Sequence, residues 1–76
     1  MKDLEYRHID NHLNKLRTDC GLSQETLASI VGVSRNSLGA IERGTALPNL
    51  RLALVLCEVF DKKVEDIFYF RNEDKR

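Results

Sequence analysis

The sequence is poor in the features that announce chemistry. Its 76 residues include no tryptophan, one proline and two cysteines. Cys20 and Cys57 lie far apart and form no CxxC motif, so neither a disulfide framework nor a thiolate metal site is indicated. They read as small apolar core residues in a reducing compartment. No long apolar run exists: the longest, Leu52 to Cys57, is far too short to span a bilayer. The N-terminal residues Met1 to Glu5 carry acids where a secretion signal needs a basic start. A complete, cytoplasmic chain is therefore expected. Net charge is also lacking, because twelve basic and twelve acidic side chains cancel.

These absences narrow the possible functions. A chain this short forms one domain and buries only about 60% of its unfolded surface, leaving little interior for a substrate or cofactor cavity. There is no Ser/His/Asp arrangement, no paired catalytic carboxylates and no glycine-rich phosphate loop. An enzyme, a cofactor or a small-molecule substrate is not expected. His8 and His12 are four apart, a spacing that suits two metal ligands on one helix face. No cysteine completes the set and the glutamate of an HExxH motif is missing, so two exposed histidines are the expectation.

Periodicity reads as helix almost throughout. Ile9, Leu13, Leu16 and Cys20 form an apolar stripe on a first helix ending near Gly21. Ser23 suits an N-cap for a second helix running to Val31, with Glu25 in its first turn and Leu22 stapled to Leu27. Gly32 stops it. Ser34 then caps a third helix ending near Arg43, with Val33 stapled to Leu38 and Gly44 as the stop. Two short helices joined by Gly32-Val33-Ser34 have the link of a crossed helix-turn-helix, spanning about residues 24–43. Asn49 caps a fourth helix, Leu50 to Phe60, on which Leu50, Ala53, Leu54 and Cys57 are taken as the inward stripe. Val64, Ile67 and Phe68 mark a short fifth helix. The expected fold is all-α, a five-helix domain over 1–76 with its core at about 9–70. Phe68-Tyr69-Phe70 has an alternative as a short strand, pairing with the segment near Leu4 to Arg7.

Charge, neutral in total, is uneven along the chain. Residues 33–51 hold Arg35, Arg43 and Arg51 against Glu42, a net of +2, while each flank comes to −1. Binding to phosphates needs such a local footprint rather than a positive total. On the third helix Leu38 and Ile41 face the core. Arg35, Asn36, Gly39, Ala40 and Arg43 then form an outward stripe without an acid. Such a helix fits the major groove of B-DNA: arginine suits guanine O6 and N7, asparagine suits adenine N6 and N7, and Ala40 suits a thymine methyl. Gly39 reads either as close approach of the helix backbone to DNA or as a tolerated exposed glycine. Gln24 at the start of helix 2, and Arg43 and Thr45 at the exit of helix 3, suit the phosphate backbone.

From Leu13 to Phe68 the sequence resembles the phage-repressor and Cro type of helix-turn-helix, the XRE family. The residues that carry the resemblance are Leu16-Arg17, Gly21-Leu22-Ser23-Gln24-Glu25-Thr26-Leu27-Ala28, Val31-Gly32-Val33-Ser34-Arg35, Ile41-Glu42-Arg43-Gly44, Pro48 and Asp66-Ile67-Phe68. The resemblance implies a transcriptional regulator acting as a dimer on a palindromic operator in double-stranded DNA. It implies that Gln24 holds phosphate, that Ser34, Arg35, Asn36 and Ala40 face bases, and that Ser37 and Arg43 meet the backbone. It also implies a partly buried ion pair between Arg17 and Glu42. Gly39-Ala40 replaces larger polar residues of the pattern, which shifts readout toward DNA shape.

Apolar residues beyond what one small domain buries point to a homodimer, with the interface expected on helix 5 and the aromatics, Ile67, Phe68 and Phe70. The leading expectation is a dimeric repressor. Two alternatives stand beside it: the antitoxin of a toxin–antitoxin pair, and a protein-interaction module that has lost DNA binding.

Overall fold

The boundaries of the helices in the computed structural model follow the side chains that satisfy free backbone groups. Residues 7–71 are described. A short strand β1 (Ile9–Asn11) leads into α1 (Leu13–Asp19), followed by α2 (Gln24–Val31), α3 (Arg35–Arg43), α4 (Leu50–Phe60), α5 (Val64–Ile67) and strand β2 (Phe68–Phe70). Ser23, Ser34 and Asn49 each accept a backbone N–H from the third residue onward, at 3.0, 3.0 and 2.8 Å. These bonds start α2, α3 and α4 by satisfying one of the four amides a helix N-terminus leaves free. At the other end of α2, Gly32 adopts φ +83° and its amide and that of Val33 both return to the Ala28 carbonyl. A side chain is strained in that backbone conformation, so the tight turn into α3 depends on glycine.

The core is built from one to three residues of each helix. Leu13, Val31, Leu27, Leu38, Leu56 and Ile67 are almost wholly buried, drawing α1 to α5 around one centre. Each such side chain contributes about 1.5–3 kcal/mol of burial. Leu22 and Val33, which enter α2 and α3, pack against this cluster as expected of staples.

Three sequence expectations change. First, the five helices are as expected, and of the two readings of residues 68–70 the strand holds, in an antiparallel pair with register Ile9↔Phe70, Asp10↔Tyr69 and Asn11↔Phe68 that takes in Ile9. Phe68-Tyr69-Phe70 is a strand, and its partner is Ile9–Asn11; Leu4 to Tyr6 lie outside the described residues. Ile9 therefore belongs to a strand and not to the stripe of α1, whose last member, Cys20, is exposed. Second, the inward face of α4 keeps Ala53 and a half-buried Cys57 from the expected stripe but exchanges Leu50 and Leu54 for Leu52 and Leu56. Leu52, Ala53 and Leu56 are buried, whereas Leu50 and Leu54 are 74% and 53% exposed. Third, Ile67 is completely buried within its own chain, so it has no surface to offer a dimer. No helix among the described residues is long and apolar enough to cross a membrane.

Asn11 explains the placement of β1. Its side-chain oxygen accepts the Leu13 amide at 2.9 Å and its side-chain nitrogen donates to the Ile41 carbonyl at 2.8 Å. One residue thus opens α1 and closes α3, and β1 lies across the C-terminal end of α3. Because residues 9–11 are extended, His8 and His12 do not share a helix face; the His12 ring instead stacks on Tyr69 with centroids 4.5 Å apart.

Candidate nucleic-acid interface

The outward face of α3 is set by what its inward face must bury. Leu38 and Ile41 fill the core. Ser34, Arg35, Asn36, Ser37 and Arg43 are exposed, Ala40 is half-buried, and Thr45 is exposed just beyond the helix. The N-terminal turn of α3 stands clear of the domain with Arg35 and Asn36 in it, where a helix in a DNA groove meets base edges. Ser34 is partly committed: its hydroxyl accepts the Ser37 amide and donates to the Ser37 hydroxyl at 2.9 Å. Thr45 donates to the Ala40 carbonyl at 3.2 Å.

Gly39 is not on the open surface. It is buried, and a Cβ placed there sits 3.2 Å from Arg43 Nη1 and 3.6 Å from Gln24 Nε2. The glycine lies beneath the side chains of Gln24 and Arg43, which lets α2 and α3 approach each other. The expectation of a tolerated, exposed glycine does not describe this environment.

Glu42, the acid of α3, is turned away from that face. Arg17 Nε donates to its Oε2 at 2.6 Å and Arg17 Nη2 to its Oε1 at 3.2 Å. Arg17 Nη1 also donates to the Leu22 carbonyl at 2.8 Å. Two more donors converge on Glu42 Oε1, Gln24 Nε2 at 3.1 Å and Asn14 Nδ2 at 3.3 Å. Burial pushes the Glu42 carboxyl up, but hydrogen bonds from Arg17, Gln24 and Asn14 outweigh it and hold the group below the usual carboxylate range. Gln24 thus ties α2 to α3 while remaining in the first turn of α2. Asn14 was not singled out from sequence: a polar residue in an exposed helix position gives no sign of its partner.

The result is a helix-turn-helix with an acid-free, half-cationic face on its second helix. A family profile described as helix-turn-helix matches residues 13–67. The chain belongs to the XRE-type helix-turn-helix family of DNA-binding regulators. It is 44% identical over 66 residues to YgzD of Bacillus subtilis, an HTH-type transcriptional regulator, covering 87% of this chain and 100% of the relative. It is 37% identical to the antitoxin PezA of Streptococcus pneumoniae, over 88% of this chain but 40% of PezA. Among solved structures it is similar to the restriction-modification controller protein C.AhdI of Aeromonas hydrophila, with a TM-score of 0.65 and 40% identity. That likeness covers 72% of this chain and 83% of C.AhdI.

Proposed function

We propose that this protein is a sequence-specific reader of double-stranded DNA, acting as a homodimeric repressor on a short palindromic operator. The observation that carries the reading is the division of labour on α3. Arg35, Asn36 and Arg43 are exposed on a face from which the helix's acid, Glu42, has been withdrawn into an internal ion pair. In this reading Arg35 and Asn36 make bidentate contacts to base edges, and Ser34 and Ala40 lie against bases. Ser37, Arg43, Thr45 and the α2 N-terminus at Gln24 meet phosphates. Gly39 acts beneath Gln24 and Arg43, where the lack of a side chain sets their height above the helix as it meets DNA.

The test is selection of a randomised duplex library on purified protein, followed by titration of the enriched site against an Arg35→Ala, Asn36→Ala variant. Enrichment of a palindrome whose discrimination the variant loses supports the reading. No enrichment even at low salt sinks it and leaves a protein-interaction module as the better account.

The homodimer places two copies of α3 one turn of B-DNA apart, about 34 Å. With Ile67 buried, Val64, Tyr69 and Phe70 are the exposed apolar residues of the α5–β2 segment offered to the interface, with one ring face of Tyr69 covered by His12 and one of Phe70 by Arg7. Phe68 is half-buried against the core.

The likeness to PezA favours a second reading, the antitoxin of a toxin–antitoxin pair, which also allows DNA binding. A protein that co-purifies in fixed ratio and blocks growth when expressed alone separates the two.

A further inference from the structure

The loop that leaves α3 forms one wall of a cleft of about 340 Å³ whose other wall comes from outside the helix-turn-helix. Gly44, Thr45, Ala46 and Leu47 line one side; Arg7, His8 and Ile9 line the other. Arg7 precedes the segment matched by the family, residues 13–67, so nothing in the helix-turn-helix pattern requires it. It is brought here by β1, which Asn11 anchors to the end of α3 through the Ile41 carbonyl at 2.8 Å.

Three observations fit Arg7 to an anion. Its guanidinium carbon lies 4.4 Å from the centroid of the Phe70 ring. An aromatic face holds a guanidinium in place while leaving its N–H edges free to donate. Among the described residues no carboxylate pairs with Arg7, in contrast to the arginines at 17 and 71. Asp10, the acid of β1, is taken by Arg71 through two hydrogen bonds of 2.9 Å, which hold its carboxyl below the usual range. The cleft therefore joins a pre-placed cation to Thr45, beside Arg43 at the exit of α3.

We propose that Arg7 donates to a phosphate of the DNA backbone at the edge of the groove entered by α3, extending the interface beyond the helix-turn-helix. The inference rests on the DNA reading above and adds a contact from the residue that leads toward β1. The contact fixes position without reading bases, so it strengthens binding to every sequence alike.

Its signature is in the salt dependence. Each phosphate neutralised contributes about 0.9 to the slope of log K against log salt. Each protomer of the dimer supplies one such contact, so an Arg7→Gln variant is expected to lose about two units of slope, and about sixtyfold in affinity at 0.1 M salt, on enriched and scrambled duplexes alike. Arg7→Lys keeps the slope. A duplex in which single phosphates are replaced by neutral methylphosphonates, titrated with unaltered protein, locates the contact without relying on a variant's folding. One such position in each half-site should weaken wild-type protein and leave Arg7→Gln indifferent. A slope unchanged in Arg7→Gln, a loss confined to one sequence, or a methylphosphonate scan with no such position overturns the assignment. Wild-type protein that binds no duplex overturns the DNA reading itself, a result distinct from these.

Discussion

The Arg17 guanidinium spans both carboxylate oxygens of Glu42, and their side chains are only 10% and 3% exposed. This pair joins α1 to α3 across 25 residues of sequence. It also removes the one negative charge that would otherwise oppose DNA on α3. Stability and function thus share a residue that never touches the ligand.

Breaking the pair from one side leaves a buried charge without its partner. Glu42→Ala is expected to cost about 3–5 kcal/mol, because Arg17 stays buried and Gln24 and Asn14 lose their acceptor. A domain of this length has roughly 4–11 kcal/mol in total, so the variant is largely unfolded at moderate denaturant. Replacing both residues, Arg17→Met with Glu42→Leu, should cost much less than either single change. Urea titrations of the three variants check the prediction; equal losses for single and double variants refute it.

Acid should act through the same carboxylate. Its folded pKa lies below the ordinary value of 4.5, so the stability it contributes is present in full above that value. It is lost as pH falls through the lower folded value. Asp10, lowered by its hydrogen bonds with Arg71, has the same sign. Thermal melts should therefore show a fall in Tm beginning below about pH 4.5, attenuated in Glu42→Gln. A Tm that rises on acidification in this range contradicts the geometry.

Gly39 offers a test of packing. In a helix interior alanine is favoured over glycine by about 0.5–1 kcal/mol. The atom nearest an added Cβ is Arg43 Nη1 at 3.2 Å, the far end of a flexible side chain. Arg43 can swing aside, so Gly39→Ala should raise Tm by about 4–8 °C per kcal/mol gained. A lowered Tm means that Gln24 and Arg43 are held more firmly than their exposure implies.

The two serine caps separate folding from binding. Ser23 and Ser34 make the same 3.0 Å bond to a backbone amide three residues on. Alanine at either should cost about 1 kcal/mol of stability. Ser34 also belongs to the face proposed to meet DNA, so Ser34→Ala is expected to weaken operator binding beyond what Ser23→Ala does. Paired melts and titrations check this, and equal effects on affinity remove Ser34 from the interface.

Much of this was legible in the sequence because caps and stops are local signals. Ser23, Gly32, Ser34, Gly44 and Asn49 each announce a boundary by residue type alone, and the helix-turn-helix follows from their spacing. Long-range pairing is different. Ile9 fits a helical period with Leu13, and it is the pairing with Phe68–Phe70 and the tie from Asn11 to Ile41 that make its segment extended. In α4 nearly every position is apolar, so periodicity identifies no face; contacts with the other helices put Leu52 and Leu56 inside and Leu50 outside. Arg7 gives no signal of its own, since its surroundings come from Phe70 and the Gly44–Leu47 loop.

The dimer is best tested at a residue whose change spares the fold. Val64 is the first residue of α5 and is 43% exposed, with Glu65 and Asp66 following it in the first turn. An acid near a helix N-terminus is favoured by the exposed amides, so Val64→Asp should leave α5 intact. In an apolar interface between two copies the same change places two carboxylates near each other without partners, which is strongly unfavourable. Sedimentation at micromolar concentration is therefore expected to show a dimer for the natural chain and a monomer for Val64→Asp, with matching melts at low concentration. Operator affinity should fall in step, because a monomer grips one half-site where a dimer grips two. A natural chain that sediments as a monomer throughout this range removes the homodimer, and with it the palindromic operator.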